Sequence, residues 1–385
     1  RDVAPSRGLG DVYKRQAGTG PDVLLLDGIS EDTYIEKGML EDLSGVLKDT
    51  DILSNIKDAY TKEDGSIYTM PVKFGIPMIE GNKDIIAGIT DLTTEADAAE
   101  SQKDSYGKLQ FFSDFSIAPS YLIQGTIDNS IPAWMNEDGT LNENAVKEYL
   151  EQVNRIWQTQ KNAIEETKKA YQMGDDWADS DHSGYMDISG SVTSLLAKVD
   201  TVAAGGLLSP EGLVSLDSAR KVDPDLDYKL LNGQSENCFY PRSAVGVSAK
   251  ASEKEAAEKF VKFLFEEESQ RASNTEGLAV NSKVYEDMAY WKMGKSSGDT
   301  IGSIGASYDT GDGNIKQIEM DEIIPEDEAI QNIMDLGKTL TVPAKSNQII
   351  RNAVTESGEK YLNGETGLDD AVKEIMQEVN LYLSE

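Results

Sequence analysis

Apolar residues along the chain follow two different spacings. Short continuous runs, of which Val23–Leu26 is the first, are typical of buried strands, whereas longer stretches repeat apolar residues every three to four positions, as helices do. Helices are predicted at about 142–173, after a capping box at Ser252–Glu255, and at 368–383. Residues 294–314, rich in glycine, serine and aspartate, are predicted to form a loop. Strands that alternate with helices predict an α/β protein.

Two glycines precede the first strand, which raises the question of a phosphate-binding loop. In such loops the glycines follow the strand, whereas Gly18 and Gly20 come before Val23–Leu26 and no Lys-Ser or Lys-Thr follows them. This order argues against a nucleotide site. A continuous apolar run suits a parallel strand buried on both faces, and ligands of such sheets bind where the strands end. Asp27, which follows the run, is therefore a candidate for binding ligand hydroxyl groups; the alternative is that it caps the next helix or turns the chain.

Length and charge narrow the possible functions. The 385 residues are enough for two lobes, and the net charge of −33 argues against binding nucleic acid, whose phosphates need a basic surface. Cys238 is the one cysteine, so an intrachain disulfide is excluded, and a histidine-based metal site or a Ser-His-Asp triad would depend on His182 alone. No apolar stretch has the length that spans a bilayer.

The first sixteen residues differ from the rest of the chain. Residues 1–16 are net basic and show no strand or helix periodicity, whereas the remainder is strongly acidic. We expect this segment to be a non-native or disordered tail, and we expect the native N-terminus, with any export signal, to be missing from the sequence. The alternative is a natural disordered arm.

Several stretches together resemble one protein family. GTGPDVLLLDG, followed by YIEKGMLEDLS, is similar to the first-lobe sequence of the extracellular solute-binding proteins of bacterial ABC transporters, of the carbohydrate type (family 1) related to maltose-binding protein. DGSIYTMPVKFGIPMIEGNKDI resembles the family's first crossover between lobes, and VGVSAKASEKEAAEKFVKFLFEEESQ resembles the return crossover with its helix. The closing stretch YLNGETGLDDAVKEIMQEVNLYLSE resembles the family's final helices. The resemblance covers about residues 17–385.

The resemblance implies a two-lobe, type II periplasmic-binding-protein-like α/β fold whose lobes are joined by crossover hinge strands. Each lobe would take two separate parts of the chain: 17–82 and 241–316 for lobe 1, 83–240 and 317–385 for lobe 2. The family places a strand, a helix and a second strand before GPDV, and this sequence lacks them. We therefore expect an incomplete sheet in the first lobe.

The resemblance also implies a function. A protein of this family would capture a sugar or oligosaccharide in the cleft between its lobes and deliver it to the permease subunits of an ABC transporter. It would need no cofactor or metal and would act as a monomer outside the cytoplasm, lipid-anchored on the outer face of the membrane. Two alternatives stay open: a binding protein for a peptide or another small solute, and a secreted glycan-degrading enzyme with two catalytic carboxylates, although no nucleophile elbow, zinc motif or phosphate loop is present.

Sugars present hydroxyl groups that bond polar side chains and apolar C–H faces that stack on aromatic rings. Trp157 falls on the apolar stripe of the helix at 142–173 and is predicted to be core. Trp134, which follows Pro132 in a predicted loop at 131–141, and Trp177, which stands among aspartates, belong to no apolar stripe. The candidate ligand residues, which include positions implied by the resemblance, are Asp27, Asp32, Lys73, Phe74, Trp134, Trp177, Gly206, Arg242 and Asn347.

One loop has the spacing of a calcium site. In DSDHSGYMD at 179–187, Asp179, Asp181 and Ser183 occupy alternate positions, but Gly190 stands where an EF-hand loop has its bidentate glutamate. The favoured interpretation is a polar surface loop, and no metal site is predicted.

Overall fold

The computed structural model describes residues 20–29, 31–102, 110–112, 118–136, 140–171, 187–272, 276–309, 315–344 and 347–383. The tail predicted at 1–16, Trp177 and residues 179–186 of the predicted loop lie outside these described residues. The chain divides into two compact units. The first unit comprises the described residues up to Phe74 together with Pro241–Tyr290, and the second comprises those of Gly75–Tyr240 and Trp291–Glu385.

Strands and helices alternate along the described residues, as the sequence predicts. The strands are β1 (Val23–Leu25), β2 (Met70–Asn82), β3 (Gln110–Phe112), β4 (Asp200–Leu207), β5 (Leu226–Leu230), β6 (Cys238–Val247), β7 (Leu278–Ala279), β8 (Thr300–Asp309), β9 (Ile315–Ile323) and β10 (Val342–Pro343). The helices are α1 (Glu31–Glu36), α2 (Ser54–Tyr60), α3 (Lys83–Ile86), α4 (Leu92–Gln102), α5 (Pro119–Ile127), α6 (Ile131–Trp134), α7 (Glu143–Tyr171), α8 (Val192–Ala197), α9 (Pro210–Val222), α10 (Lys254–Leu264), α11 (Glu267–Arg271), α12 (Ser282–Tyr285), α13 (Met288–Trp291), α14 (Asp327–Thr339), α15 (Gln348–Leu362) and α16 (Leu368–Leu383).

The sheet of the first unit is built from strands that are distant in sequence. β1 runs antiparallel to the C-terminal part of β6, and the start of β2 runs antiparallel to β7. The expectation of a parallel first strand buried on both faces is therefore wrong. Leu24 and Leu26 are buried, but Leu25 between them is 59% exposed, because alternate side chains of a strand point to opposite faces and one face of β1 packs on the core.

Helix α10 begins differently from the prediction. Its N-cap residue is Glu253, no side chain of the predicted capping box caps it, and the carboxylate of Asp22 instead accepts hydrogen bonds from the backbone N–H groups of Ser252 and Glu253, at 2.8 and 3.1 Å. These two bonds hold the pKa of Asp22 below its ordinary value. The helix buries Ala257 and Val261 of its predicted stripe, but Phe260 is 51% exposed.

The second unit surrounds the remainder of β2 with strands. β2 lies between β4 and β5 and is antiparallel to both, β3 is parallel to β4, and β10 is parallel to the start of β6. The long amphipathic helix α7 confirms the prediction for 142–173, and α16 confirms the one for 368–383. Trp157 is buried in the core of this unit, as its place on the helix stripe predicts.

An antiparallel hairpin of β8 and β9 corrects one expectation. Residues 294–314 were expected to form a loop, yet much of this stretch is strand β8. The described residues of 291–316, like residues 75–82, group with the second unit rather than with the part of the chain expected to form lobe 1. Contacts with α8 and α9 hold the hairpin there. The Tyr308 hydroxyl lies 2.7 Å from that of Thr193, and the Ser215 hydroxyl donates to Glu322 at 2.7 Å.

None of the described helices is both long and apolar enough to cross a membrane.

Candidate ligand site

Asp27 lies where β1 ends in the first unit, and its side chain is exposed. Gly28 has a φ of +71°, which favours glycine, and the chain turns there so that the Ile29 N–H bonds the Leu26 carbonyl. One carboxylate oxygen, Oδ1, accepts a hydrogen bond from the Ala244 N–H at 3.2 Å, and Oδ2 has no partner among the described residues. Asp27 thus fixes the local backbone with one oxygen and presents the other at the surface.

Further polar groups stand around the same end of β1. Asp32 in α1 pairs with Lys62 at 3.5 Å, with both side chains about half exposed, and Glu31 accepts a hydrogen bond from the Thr69 hydroxyl at 2.7 Å. Burial raises the pKa of the Tyr60 phenol, and the carboxylates of Glu31, Asp27 and Asp32 raise it further. We call Asp27, Glu31, Asp32 and Tyr60 the acidic patch.

The acidic patch places three carboxylates beside a phenol that stays protonated at neutral pH. Carboxylate oxygens accept hydrogen bonds, so they suit ligand hydroxyl groups. Tyr60 and Glu31 were not among the sequence-based candidates, because nothing in their local pattern separates them from other residues of α1 and α2.

Lys73 and Phe74 lie in β2, and both side chains are buried. The Lys73 ammonium donates to the Gln270 carbonyl at 2.5 Å, and burial lowers its pKa to about 8. The Phe74 ring packs against Tyr285 with 5.5 Å between ring centroids. Both side chains are enclosed by the protein, and a ligand role for them stays a prediction.

Arg242 in β6 forms an ion pair with Glu276 at 2.8 Å. The arginine side chain is 22% exposed and the glutamate is mostly exposed. An ion pair with a mostly exposed partner contributes little to stability, and a ligand role for Arg242 stays a prediction.

Trp134 lies in the core of the second unit. Its side chain is 0% exposed, its indole N–H donates to Gln234 at 2.5 Å, and Tyr149 meets it edge-on with ring centroids 5.0 Å apart. The ring therefore offers no exposed face for stacking in this structure. Its position after Pro132 suggested a loop, but residues 131–134 form the short helix α6.

Asp187 is the one residue of the predicted calcium loop within the described part of the chain. Its Oδ1 accepts the Ser189 N–H at 2.9 Å and thereby caps a short 3-10 helix, Ile188–Ser191. The described residues contain no group of three or more His, Cys, Asp or Glu side chains suited to a metal ion.

Gly206 allows close packing beside Tyr240. A Cβ atom at Gly206 would lie 3.2 Å from the Tyr240 ring and 2.9 Å from Leu208. Gly75 behaves similarly, since its Cβ would lie 3.5 Å from Tyr240 Cβ and 2.5 Å from Leu208. The structure thus assigns a packing role to Gly206, and its predicted contact with ligand stays a prediction.

Asn347 caps helix α15. Its Oδ1 accepts the N–H groups of Ile349 and Ile350 at 3.0 and 3.2 Å. One turn later Arg351 forms an ion pair with Asp128, in which each side chain is 6% exposed. Among the described residues, no hydrogen bond or ion pair joins Asn347, Gly206 and Trp134 to one another, whereas Asp27 and Asp32 share the acidic patch.

Known proteins resemble the chain in sequence and in fold. Residues 9–296 match a family model described as bacterial extracellular solute-binding protein. No curated protein sequence matches the chain.

Three solved structures illustrate the likeness of fold. They are MalE3 of T. maritima with bound maltose (16% identity, TM-score 0.51), an ABC transporter solute-binding protein of Agrobacterium vitis with bound D-mannitol (12%, 0.57) and the ABC substrate-binding protein Lmo0181 of Listeria monocytogenes in complex with cycloalternan (17%, 0.54). The matches cover 98%, 98% and 100% of this chain and 88%, 88% and 90% of theirs.

At these identities the likeness concerns the fold, and it confirms the predicted periplasmic-binding-protein-like α/β class. The family model spans most of the sequence, including β1, α1 and the passage of β2 from the first unit to the second. The chain belongs to the family of bacterial extracellular solute-binding proteins.

Proposed function

We propose that the chain captures a sugar or oligosaccharide outside the cell and delivers it to the permease subunits of an ABC transporter. The family membership carries this proposal. Support for a sugar comes from the solved structures of similar fold, which contain bound maltose, D-mannitol, D-tagatose and stachyose. The interlobe position of the ligand and the anchoring of the protein by a lipid stay predictions.

The acidic patch supports a neutral, hydroxyl-rich ligand. Asp27 and Asp32 offer carboxylate oxygens near Tyr60, and such oxygens accept hydrogen bonds from hydroxyl groups but repel an anionic solute. The net charge of −33 on the whole chain also repels anionic solutes. Uronic acids and phosphorylated sugars are therefore disfavoured in comparison with neutral sugars.

The experiment is a calorimetric titration of the purified chain with maltose, D-mannitol, D-tagatose and stachyose, with a mixture of di- and tripeptides in a parallel series. We expect one sugar to bind with a dissociation constant in the micromolar range or below and the peptides to give no heat. Saturation at a hundred times the dissociation constant should stabilise the protein by about 2.7 kcal/mol, visible as a higher Tm. Binding of peptides without sugars would replace this proposal by the small-solute alternative.

The variant pair Asp32→Asn and Asp49→Asn locates the site. Each substitution removes one exposed carboxylate of the first unit, but Asp49 lies outside the acidic patch. Hydrogen bonds to charged groups contribute about 1.5–3 kcal/mol, so Asp32→Asn should weaken binding about tenfold or more and Asp49→Asn should leave it unchanged. Equal affinities in the two variants would remove Asp32 from the site.

An assay for released reducing ends on the same oligosaccharides tests the enzyme alternative. We expect binding without turnover, because the family consists of solute-binding proteins. Accumulation of products over several equivalents of protein would contradict this expectation.

A further inference from the structure

Where β1 ends, one hydrogen bond between β1 and β6 has a side-chain oxygen as its acceptor in place of a backbone carbonyl. In an antiparallel ladder, the two residues of a hydrogen-bonded pair exchange two N–H···O bonds. The Leu26 N–H donates to the Ala244 carbonyl at 2.8 Å, but the return bond from the Ala244 N–H goes to Asp27 Oδ1 at 3.2 Å. The Leu26 carbonyl accepts the Ile29 N–H at 3.1 Å instead. A carboxylate oxygen of Asp27 thus replaces a carbonyl of the ladder.

The residue before Ala244 has an unusual backbone. Ser243 has a φ of +55° although it lies within strand β6, where φ is ordinarily negative. A left-handed conformation is uncommon for a residue other than glycine, asparagine or aspartate. Because the peptide group that carries the Ala244 N–H begins at Ser243, this conformation determines the direction in which that N–H points.

We propose that Ser243 is a positioning residue for the ligand site: its left-handed backbone aims the Ala244 N–H at Asp27 Oδ1 and thereby holds Oδ2 in the orientation that binds a sugar hydroxyl. Asp27 is exposed and would otherwise sample several rotamers. Strained backbone persists where the surrounding structure holds it, and it concentrates at binding sites. The inference rests on the proposed function, because the oxygen is positioned for a ligand only if a hydroxylated solute binds there.

Asn237 provides a matched comparison. It has the same φ of +55° and directly precedes β6, but it belongs to the second unit. Asparagine tolerates this conformation, and the Asn237 carbonyl accepts the N–H groups of Thr341 and Val342 at 3.0 and 3.1 Å, so residue type and pairing with β10 account for it. Ser243 lacks the favoured residue type.

The first measurement is hydrogen exchange of the Ala244 amide, resolved to the single residue by mass spectrometry with fragmentation, without sugar. In Ser243→Val the β-branched side chain resists positive φ, so exchange should accelerate about tenfold, whereas Ser243→Gly should keep the wild-type rate. Asn237→Val introduces the same backbone conflict away from Asp27 and should leave Ala244 unchanged. Equal acceleration in the Asn237 and Ser243 valine variants, or none in either, would overturn the proposal.

Asp27→Ala removes the acceptor of the same hydrogen bond, and Asp27 is an exposed residue. This variant can therefore be measured if Ser243→Val does not fold. Acceleration at Ala244 in this variant is expected, and an unchanged rate would show that the bond does not protect the amide.

The second measurement is calorimetric affinity for maltose, D-mannitol, D-tagatose and stachyose. Ser243→Val and Asp27→Ala should both weaken the sugar that binds the wild-type chain about tenfold, with Ser243→Gly and Asn237→Val at wild-type affinity. Wild-type affinity in Ser243→Val overturns the positioning role even when its Ala244 exchange accelerates. Absence of binding by the wild-type chain defeats the proposed function, while the exchange rates still report whether Ser243 orients Asp27.

Discussion

The two units of the molecule differ in the ionisable side chains that burial shifts towards their neutral form: an amine in the first unit and two carboxyl groups in the second. The first unit buries the amine of Lys73 against a backbone carbonyl, and burial lowers its pKa to about 8. The second unit buries the carboxyl groups of Glu80 and Glu95, each with one oxygen that has no hydrogen-bond partner among the described residues. Burial raises the pKa of Glu95 to about 8 and raises that of Glu80 as well. In both units burial disfavours the charged form.

The difference gives the units opposite responses to pH. Between pH 4.5 and about 8 the folded second unit keeps a proton on Glu95 that the unfolded chain has lost, so its stability falls as pH rises. Between about 8 and 10.5 the unfolded chain keeps a proton on Lys73 that the folded first unit has lost, so the stability of that unit rises with pH. The buried carboxyl group and the buried amine thus change stability in opposite directions, in two adjacent pH windows.

The largest expected effect concerns the ion pair between Arg351 and Asp128. Among the described residues, it is the one ion pair in which both side chains are buried, each being 6% exposed. Arg351→Met leaves the buried Asp128 carboxylate without its guanidinium, and the free energy of unfolding of the second unit should fall by about 3–5 kcal/mol. Denaturant unfolding, with hydrogen exchange of each unit, measures this loss.

Adding Asp128→Asn to Arg351→Met is the control, because it removes the uncompensated charge. The double variant should recover much of the loss, and amide exchange in the first unit should stay unchanged in both variants. A loss below about 1 kcal/mol in the single variant would show that water screens the pair.

The next effect concerns the pH slope of the second unit. Glu95→Gln removes the titrating group but keeps its size, so the fall in stability between about pH 4.5 and 8 should become shallower by up to about 1.4 kcal/mol per pH unit. Unfolding at a series of pH values measures the slope. An identical slope in wild type and Glu95→Gln would mean that the carboxyl group ionises in the folded state with its ordinary pKa.

A smaller effect of opposite sign is expected in the first unit. Lys73→Met replaces a buried amine by an apolar side chain, at the loss of the hydrogen bond to the Gln270 carbonyl. The net gain should be about 1 kcal/mol at pH 7 and should shrink between about pH 8 and 10.5, because the wild-type unit strengthens in that range. A gain that grows towards pH 10.5 would contradict this account of Lys73.

The smallest effect on stability is expected for Arg242→Ala. Because Glu276 is mostly exposed, loss of its ion pair with Arg242 should change the free energy of unfolding by less than about 0.5 kcal/mol. Affinity for the bound sugar should nevertheless fall if Arg242 contacts ligand, and Glu276→Ala serves as the control for loss of the pair alone. Equal affinities in the two variants would remove Arg242 from the candidate site.

The sequence predicts the parts of the fold that depend on local periodicity. Helices α7 and α16 follow from the spacing of their apolar residues, and so does the burial of Trp157. Strand β8 was expected to be a loop because its glycines and serines lack a β signal, and the strand exists because it pairs with β9 and docks on α8 and α9. Partners distant in sequence override local propensity there.

The same limit applies to the candidate site. Asp27 was identified by its place after a strand, but the acidic patch also needs Tyr60, and the pair of Arg351 with Asp128 joins residues 223 positions apart. Trp134 was expected to be a ligand-facing residue because loop-like sequence surrounds it, whereas its indole is enclosed by Tyr149 and Gln234. No local pattern records such contacts.

The cap of helix α10 has a consequence for the order in which the chain is made. The N–H groups of Ser252 and Glu253 find their acceptor in Asp22, 230 and 231 positions earlier, and the entire stretch Gly75–Tyr240 of the second unit is synthesised between them. A chain that emerges from its N-terminus must therefore keep β1 without its β6 partner while most of the other unit is being made. During this interval Leu24 and Leu26 lack the strand that pairs beside them, and the nascent protein is most exposed to aggregation and to proteases before residue 253 appears.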